Sequence, residues 1–355
     1  MLPRHPRNPP VNHHHHEEPP PDSANDTGWS ESDGQWPMRP VDRLIYASLS
    51  RVDRSVLDEM RRIRDHAVRN NGPDGLRVGL MHMNGHFIEW IEGPGPAIDA
   101  LMARVSRDAR HHGLQVIHRS TGQARLKRPW IGAIVQAIEP PSLFAARVHT
   151  WRLRHEAGQV YEPAHVWMNV CSPPAPDMPR AGEGAERVML LSARLAWAFD
   201  LLRWLAGVSS RRLVQRRYAA SADDVPDVAS DYLDLPDLGP GGMRLIAHAR
   251  RGLTMGVAHA LMPAHGAVVL ILDGDAEANV RLVQKVLDVC NQTQHVPTII
   301  GVGPHDSVTA ELADRVQANG HAWIGVRSPL ARPDVSDLWA VLEPVLDQFA
   351  GQASG

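Results

Sequence analysis

The chain has 355 residues, enough for two folded units, because one hydrophobic core rarely serves more than about 250 residues. A formal net charge of −3 leaves no basic excess to neutralise phosphates, so nucleic acid is not an expected partner. Cys171 and Cys290, the two cysteines, lack Cys-x-x-Cys spacing, and no apolar run reaches the roughly 18 residues that cross a bilayer, which argues against a disulfide framework, a zinc site and a membrane partner, and for a soluble, cytoplasmic protein.

Residues 1–40 are rich in Pro, Asn, Asp and Ser, with too few apolar side chains to offset the entropy of ordering a backbone, and read as a disordered tail. The run His13–His16 followed by Glu17 and Glu18 can take up a stray divalent ion, or is low-complexity sequence and nothing more. Order begins at Val41: Leu44, Ile45 and Tyr46 predict a short buried strand. Val56, Met60, Ile63 and Ala67, three and four apart, predict an amphipathic helix over 53–70. After the turn cluster 71–75, the apolar runs 76–83 and 86–91 are joined by Asn84-Gly85, a hairpin signal because both residues tolerate positive φ. Gly93-Pro94-Gly95-Pro96 stops the hairpin. Ile98, Met102 and Val105 then predict a second helix over 97–107, and 114–117 a fourth strand. The order β-α-β-β-α-β is that of a ferredoxin-like α+β module, a mostly antiparallel sheet with both helices on one face.

Beyond it, 143–153 predicts a helix covering the module, and the Pro-, Gly- and Ala-rich stretch 172–187 an interdomain linker. Val188–Leu191, 267–272 and 296–300 read as buried strands separated by long helical stretches, the pattern of a parallel α/β sheet. The expected organisation is a tail (1–40), the α+β module (41–138), a capping helix with linker (139–186), the α/β domain (187–345) and a short tail (346–355).

With its residue types in place the first module resembles the BLUF family, blue-light sensors that use FAD. Arg43-Leu44-Ile45-Tyr46-Ala47-Ser48 is similar to the family's opening strand, and Asn70-Asn71 with the following turn to its next motif. Phe87-Ile88-Glu89-Trp90-Ile91-Glu92-Gly93 is similar to the third strand, Asp108-Ala109-Arg110-His111 to the element closing the second helix, and Pro129-Trp130 to the tryptophan of the last strand. The resemblance implies an FAD site made by Tyr46, Asn70, Asn71, Glu89, Asp108, Arg110, His111 and Trp130. Asn71 would pair its amide with the ring edge, Arg110 and His111 would meet the phosphates with Asp108 orienting them, and Tyr46 would exchange an electron and a proton. Taken singly, the same residues also read as a packed tyrosine, turn chemistry, and an Arg-His pair complementing a helix dipole.

Four residues, at three places, depart from the family pattern. Glu89 stands where the family has glutamine, and an ionised carboxylate accepts hydrogen bonds but cannot donate them. Protonation through burial would restore a donor, yet not the amide's rotation, so an impaired or altered photocycle is expected. Arg77-Val78 replace a Thr-Gly pair, and Gly132 replaces a methionine.

Residues 187–345 resemble a degenerate small-GTPase-like P-loop domain. The loop 192–197 after the first strand has no glycine, and Ala198 and Phe199 stand where lysine and Ser/Thr would hold phosphate and magnesium. Asp234-Leu235-Pro236-Asp237 occupies the magnesium-side motif without its glycine, and Gly303-Pro304-His305-Asp306 retains only the aspartate of the guanine-reading motif. The functional expectation is a BLUF-type flavin photoreceptor acting on a protein signalling partner, and not an enzyme. The alternative is a flavin-free protein-interaction scaffold of a pseudo-BLUF and a pseudo-GTPase domain. Sensor modules of this shape often pair, which places a homodimer among the expected assemblies.

Overall fold

The computed structural model describes residues 40–52, 55–135, 139–173, 175–179, 185–194, 196–220, 228–254, 256–303, 306–328 and 334–353. Residues 1–39 of the expected N-terminal tail, with its histidine run, and Pro304 and His305 lie outside them.

The module opens with β1 (Val41–Ser50), then α1 (Val56–Asn71), β2 (Arg77–Met83), β3 (His86–Gly93), α2 (Gly95–Val105), β4 (His111–Gly122) and β5 (Ile131–Val135). Local chemistry sets the boundaries. Ser55 caps α1 by accepting from the Asp58 amide at 3.3 Å, and Asp58 and Glu59 place negative charge on the first turn where the helix dipole favours it. The β2–β3 turn uses the left-handed region at Asn84 (φ 51°) and Gly85 (φ 71°), as the Asn-Gly pair predicts. The sheet runs β5-β2-β3-β1-β4, with β2 parallel to β5 and the other neighbours antiparallel.

Alternation along these strands gives the sheet two apolar faces. Leu44, Val78, Leu80, Phe87 and Ile91 share one cluster with Met60 and Ala67 of α1 and Ile98 of α2. Ile45, Ala47, Met81, Met83, Ile88 and Trp90 face the other way. That face is covered by α3 (Pro141–Glu156) and α4 (Pro163–Cys171), through Phe144, Val148 and Trp151 and through Val166, Trp167 and Val170.

The rest of the chain is β6 (Glu186–Ser192), α5 (Trp197–Val208), β7 (Val214–Ala220), β8 (Val228–Leu235), β9 (Met243–His248), α6 (Gly256–Leu261), β10 (Ala267–Ile271), α7 (Ala276–Thr293), β11 (Thr298–Gly303), α8 (Asp306–Ala318), β12 (Trp323–Arg327) and α9 (Val335–Ala353). Strands β12, β11, β10, β6 and β9 are all parallel, with β10 in the middle. Helices α5 and α9 cover one face and α7 and α8 the other, a three-layer α/β arrangement. Helix α9 continues through the expected C-terminal tail as far as Ala353, with Leu346 and Ala350 buried.

Two expectations are revised. The halves do not have separate sheets: β7 pairs antiparallel with β5 (Ala133 with Ala220, Val135 with Tyr218), so one 12-stranded sheet runs from β4 to β12. The start of the expected linker is also fastened down. Asp234, the first residue of the degenerate magnesium-side motif, lies in β8 and is buried against Arg244, with Nε to Oδ1 at 2.7 Å and Nη2 to Oδ2 at 2.9 Å. Asp234 also accepts from the Ala175 amide at 2.7 Å, while Arg244 donates to the carbonyls of Ser172 and Pro173. A carboxylate committed in this way is the answer to a buried guanidinium, not a metal ligand waiting in a loop.

Candidate flavin site

A cavity of about 190 Å³ lies between α1 and α2 above the module's sheet. Its floor is Tyr46 of β1, Leu80 of β2, and Phe87 and Glu89 of β3; Ile63, Ala67 and Asn71 come from α1, Leu101 and Val105 from α2, and Trp130 from the segment entering β5. Seven of the eight residues implied by the resemblance line it: Tyr46, Asn71, Glu89, Asp108, Arg110, His111 and Trp130. The eighth, Asn70, is outside. One residue along a helix is a turn of about 100°, so Asn70 is exposed, and its amide donates to the His66 carbonyl at 2.9 Å.

Tyr46 and Glu89 are cross-strand partners in the β1–β3 register, so their side chains emerge on the same face within reach. The Tyr46 hydroxyl donates to Glu89 Oε2. Both are buried, at 2% and 8% exposure. Burial pushes the Glu89 carboxyl up to about 7, against the lowering pull of the Tyr46 hydrogen bond and of Arg110. Burial also raises the Tyr46 hydroxyl well above the usual phenol range, with the Glu89 charge adding to it. The pair therefore carries two protons while Glu89 is neutral and one, on Tyr46, once Glu89 ionises, so near neutral pH Glu89 passes between a form that can donate and one that only accepts.

Arg110, which the resemblance has Asp108 orienting, is held by a second carboxylate as well. Its Nε meets both Asp108 oxygens at 2.9 Å, and its Nη1 meets Glu59 at 3.0 Å, so two carboxylates surround one guanidinium. His111 stacks with Tyr46 at 6.4 Å between ring centroids, and burial lowers its pKa, which favours the neutral ring. Residues not among the implied site residues also line the space: Ile63, His66, Leu80, Phe87, Leu101, Arg104 and Val105. Ile63, Ala67 and Asn71 recur every four residues, as do Leu101 and Val105, so helical spacing held that information. Arg104, exposed at the rim, has no carboxylate partner among the described residues.

The lining fits a flavin by its polar atoms. The Trp130 indole N–H is buried without a hydrogen-bond partner, an expensive state for a donor unless a ligand acceptor meets it. Carbonyl oxygens and ring nitrogens on a flavin edge are acceptors of that kind, and the buried Asn71 amide brings both donor and acceptor to the same cavity.

The C-terminal half has a comparable strand-to-helix turn after β6, and there the chain satisfies itself. Ser192 Oγ accepts from the Ala198 amide at 2.8 Å, Arg250 donates to the Ala193 carbonyl, and Arg194 pairs with Asp275 at 3.0 Å. Among the described residues no cluster of His, Cys, Asp and Glu could hold a metal ion, and no helix is long and apolar enough to cross a membrane.

Comparison with known proteins places names beside this geometry. The family model "Sensors of blue-light using FAD", BLUF, matches residues 41–131. The photoactivated adenylate cyclase subunit beta of Euglena gracilis is 32% identical over 83 residues, 23% of this chain and 10% of that protein. The match thus spans about a tenth of the curated relative's length. Among solved structures, the BLUF protein BlrB in its dark state is 24% identical, with a TM-score of 0.25, covering 34% of this chain and 88% of that one. A bacterial light-regulated adenylyl cyclase is 21% identical, with a TM-score of 0.27, over 36% of this chain and 39% of the other. Klebsiella pneumoniae BlrP1, as a manganese and cy-diGMP complex, is 12% identical with a TM-score of 0.25, over 80% and 74%. Residues 41–131 form a BLUF domain.

Proposed function

We propose that this chain is a flavin-binding blue-light sensor with an altered photocycle, whose C-terminal half is a non-hydrolysing relay. The observation that carries the proposal is the cavity between α1 and α2, with the Tyr46–Glu89 pair in its floor and the unpartnered Trp130 N–H in its wall. Asn71 would hold the ring edge. Arg104, not the neutralised Arg110, would meet the phosphates. The bound flavin supplies the absorption of blue light. The chain supplies a proton held at Tyr46 Oη against Glu89, a buried carboxyl whose protonation changes which hydrogen bonds it can make. Glutamine at that position can rotate and still donate; a carboxyl donates only while protonated.

The C-terminal half is read as a pseudo-GTPase because the turn after β6 is occupied by its own Ser192 and Arg250 contacts, and Asp234 is spent on Arg244. Its expected output is contact with a protein partner, and titration with labelled GTP and Mg²⁺ should give no saturable binding. The test of the sensor reading is the absorption spectrum of protein expressed with ample flavin. A flavin spectrum that Asn71→Ala removes is expected, with a red shift on illumination that is small in the wild type and enlarged in Glu89→Gln. Colourless protein at saturating flavin sinks the reading, and so does a Glu89→Gln spectrum that ignores light.

A further inference from the structure

A second cavity, of about 120 Å³, lies on the opposite face of the module's sheet, where Met81 of β2, Ala133 of β5 and Trp167 of α4 meet Ile246 of β9, His248 and His265. Its walls come from both halves of the chain and are largely apolar. Arg244 also reaches it, but its guanidinium is engaged by Asp234 and by the Ser172 and Pro173 carbonyls.

The two histidines are out of keeping with such walls. His265 is 1% exposed. Its Nδ1 lies 3.1 Å from the Leu261 carbonyl and 3.3 Å from the Met262 carbonyl. Carbonyl oxygens only accept, so Nδ1 carries the proton and Nε2 is left with a lone pair. That Nε2 is buried without a partner, and so is Nδ1 of His248, whose ring meets His265 edge-on at 6.4 Å. Burial holds both imidazoles neutral at physiological pH, at about 3 for His265 and about 4 for His248. An unmet acceptor such as His265 Nε2 in an apolar cavity costs stability unless something donates to it.

We propose that this cavity binds a small aromatic molecule with one hydroxyl, of the phenol class, its ring among Met81, Ala133 and Trp167 and its O–H donated to His265 Nε2. Size supports one ring, since apolar protein cavities of about 150 Å³ take up benzene. Chemistry supports one donor, because a site with a few placed polar groups in apolar walls selects ligands by the hydrogen bond that those groups need. The site is separate from the flavin cavity and does not depend on it. Because β5 and β9 both contribute walls, occupancy would brace the join between the two halves.

The test is isothermal titration of the full chain with phenol and with toluene, which has nearly the same size and no donor. Saturable binding of phenol is expected in the wild type. His265→Leu should weaken phenol about tenfold while changing toluene by no more than about threefold, because only phenol loses a hydrogen bond. Ala133→Phe, which fills the space from β5, should abolish binding of both, with circular dichroism confirming that the variant is folded. No saturable phenol binding in the wild type overturns the proposal. So do equal losses of phenol and toluene in His265→Leu, and phenol binding that survives in folded Ala133→Phe.

Discussion

Glu89 is the residue on which the flavin site turns. Its carboxyl faces Tyr46, Asp108 and Arg110 from a buried position, and burial outweighs Arg110 in setting its pKa at about 7. The folded-state value lies above the ordinary 4.5, so folding with a neutral Glu89 is fully favourable below about pH 4.5, and that advantage is lost as pH rises to about 7. Glu89→Gln should therefore match the wild type near pH 4.5 and exceed it by roughly 1–3 kcal/mol at pH 8. Paired urea titrations at the two pH values read the difference, and a gap independent of pH would contradict it. Glu92, three residues on, illustrates the opposite face of the same strand. It is fully buried, accepts from Trp90 Nε1 at 3.0 Å and from the amides of Arg125 and Leu126 at 2.6 and 2.8 Å, and so fixes the segment that leads to Trp130. From there Arg125 donates to the Thr293 carbonyl at 3.0 Å and Lys127 to Gln292 at 2.7 Å, at the end of α7. Two acids on one strand thus serve different ends because strand side chains alternate.

At the level of elements, the hairpin and the two helices of the module follow from local rules. Asn84-Gly85 was legible because a two-residue turn of this hand needs positive φ at both positions, which few residues tolerate. A Cβ at Gly85 would meet nothing within 4 Å, so substitution there is penalised by backbone conformation alone. Gly85→Val should cost about 1–2 kcal/mol, and Gly85→Asn less, because asparagine visits the left-handed region more readily. Chemical denaturation distinguishes the two variants. The strands β7, β8 and β9 were not legible as a set. Their sequences carry charged residues such as Asp231, Asp234 and Arg244 at buried positions, and a pattern reading assigns such residues to the surface.

Across the whole molecule the joined sheet changes what a single substitution does. Asp234 and Arg244 hold the segment after α4 against β8 and β9, between the module and the α/β half. Removing one partner of a buried pair leaves an uncompensated charge, so Arg244→Met should destabilise the protein by roughly 3–5 kcal/mol, and adding Asp234→Leu should recover part of that loss. Urea unfolding of the single and double variants measures it, and a double variant no more stable than the single one would show that the pair is not the cause. The β5–β7 pairing also gives the module's edge strand a partner, which removes an exposed edge that would otherwise invite association.

The sequence by itself determined the first module: its hydrophobic periods and turn residues are local properties, and the family resemblance carried by its separated motifs implied that Tyr46, Asn71, Glu89 and Trp130 share one site. It also showed that the turn after β6 lacks glycine, since that is a matter of residue type. Tertiary structure alone decided which charges were already spent. Glu59 reaches Arg110 across 51 positions and Asp234 reaches Arg244 from a neighbouring strand, and pairing between residues distant in sequence leaves no periodic trace. The same reason explains why the joined sheet and the cavity at His265 emerged only from the fold.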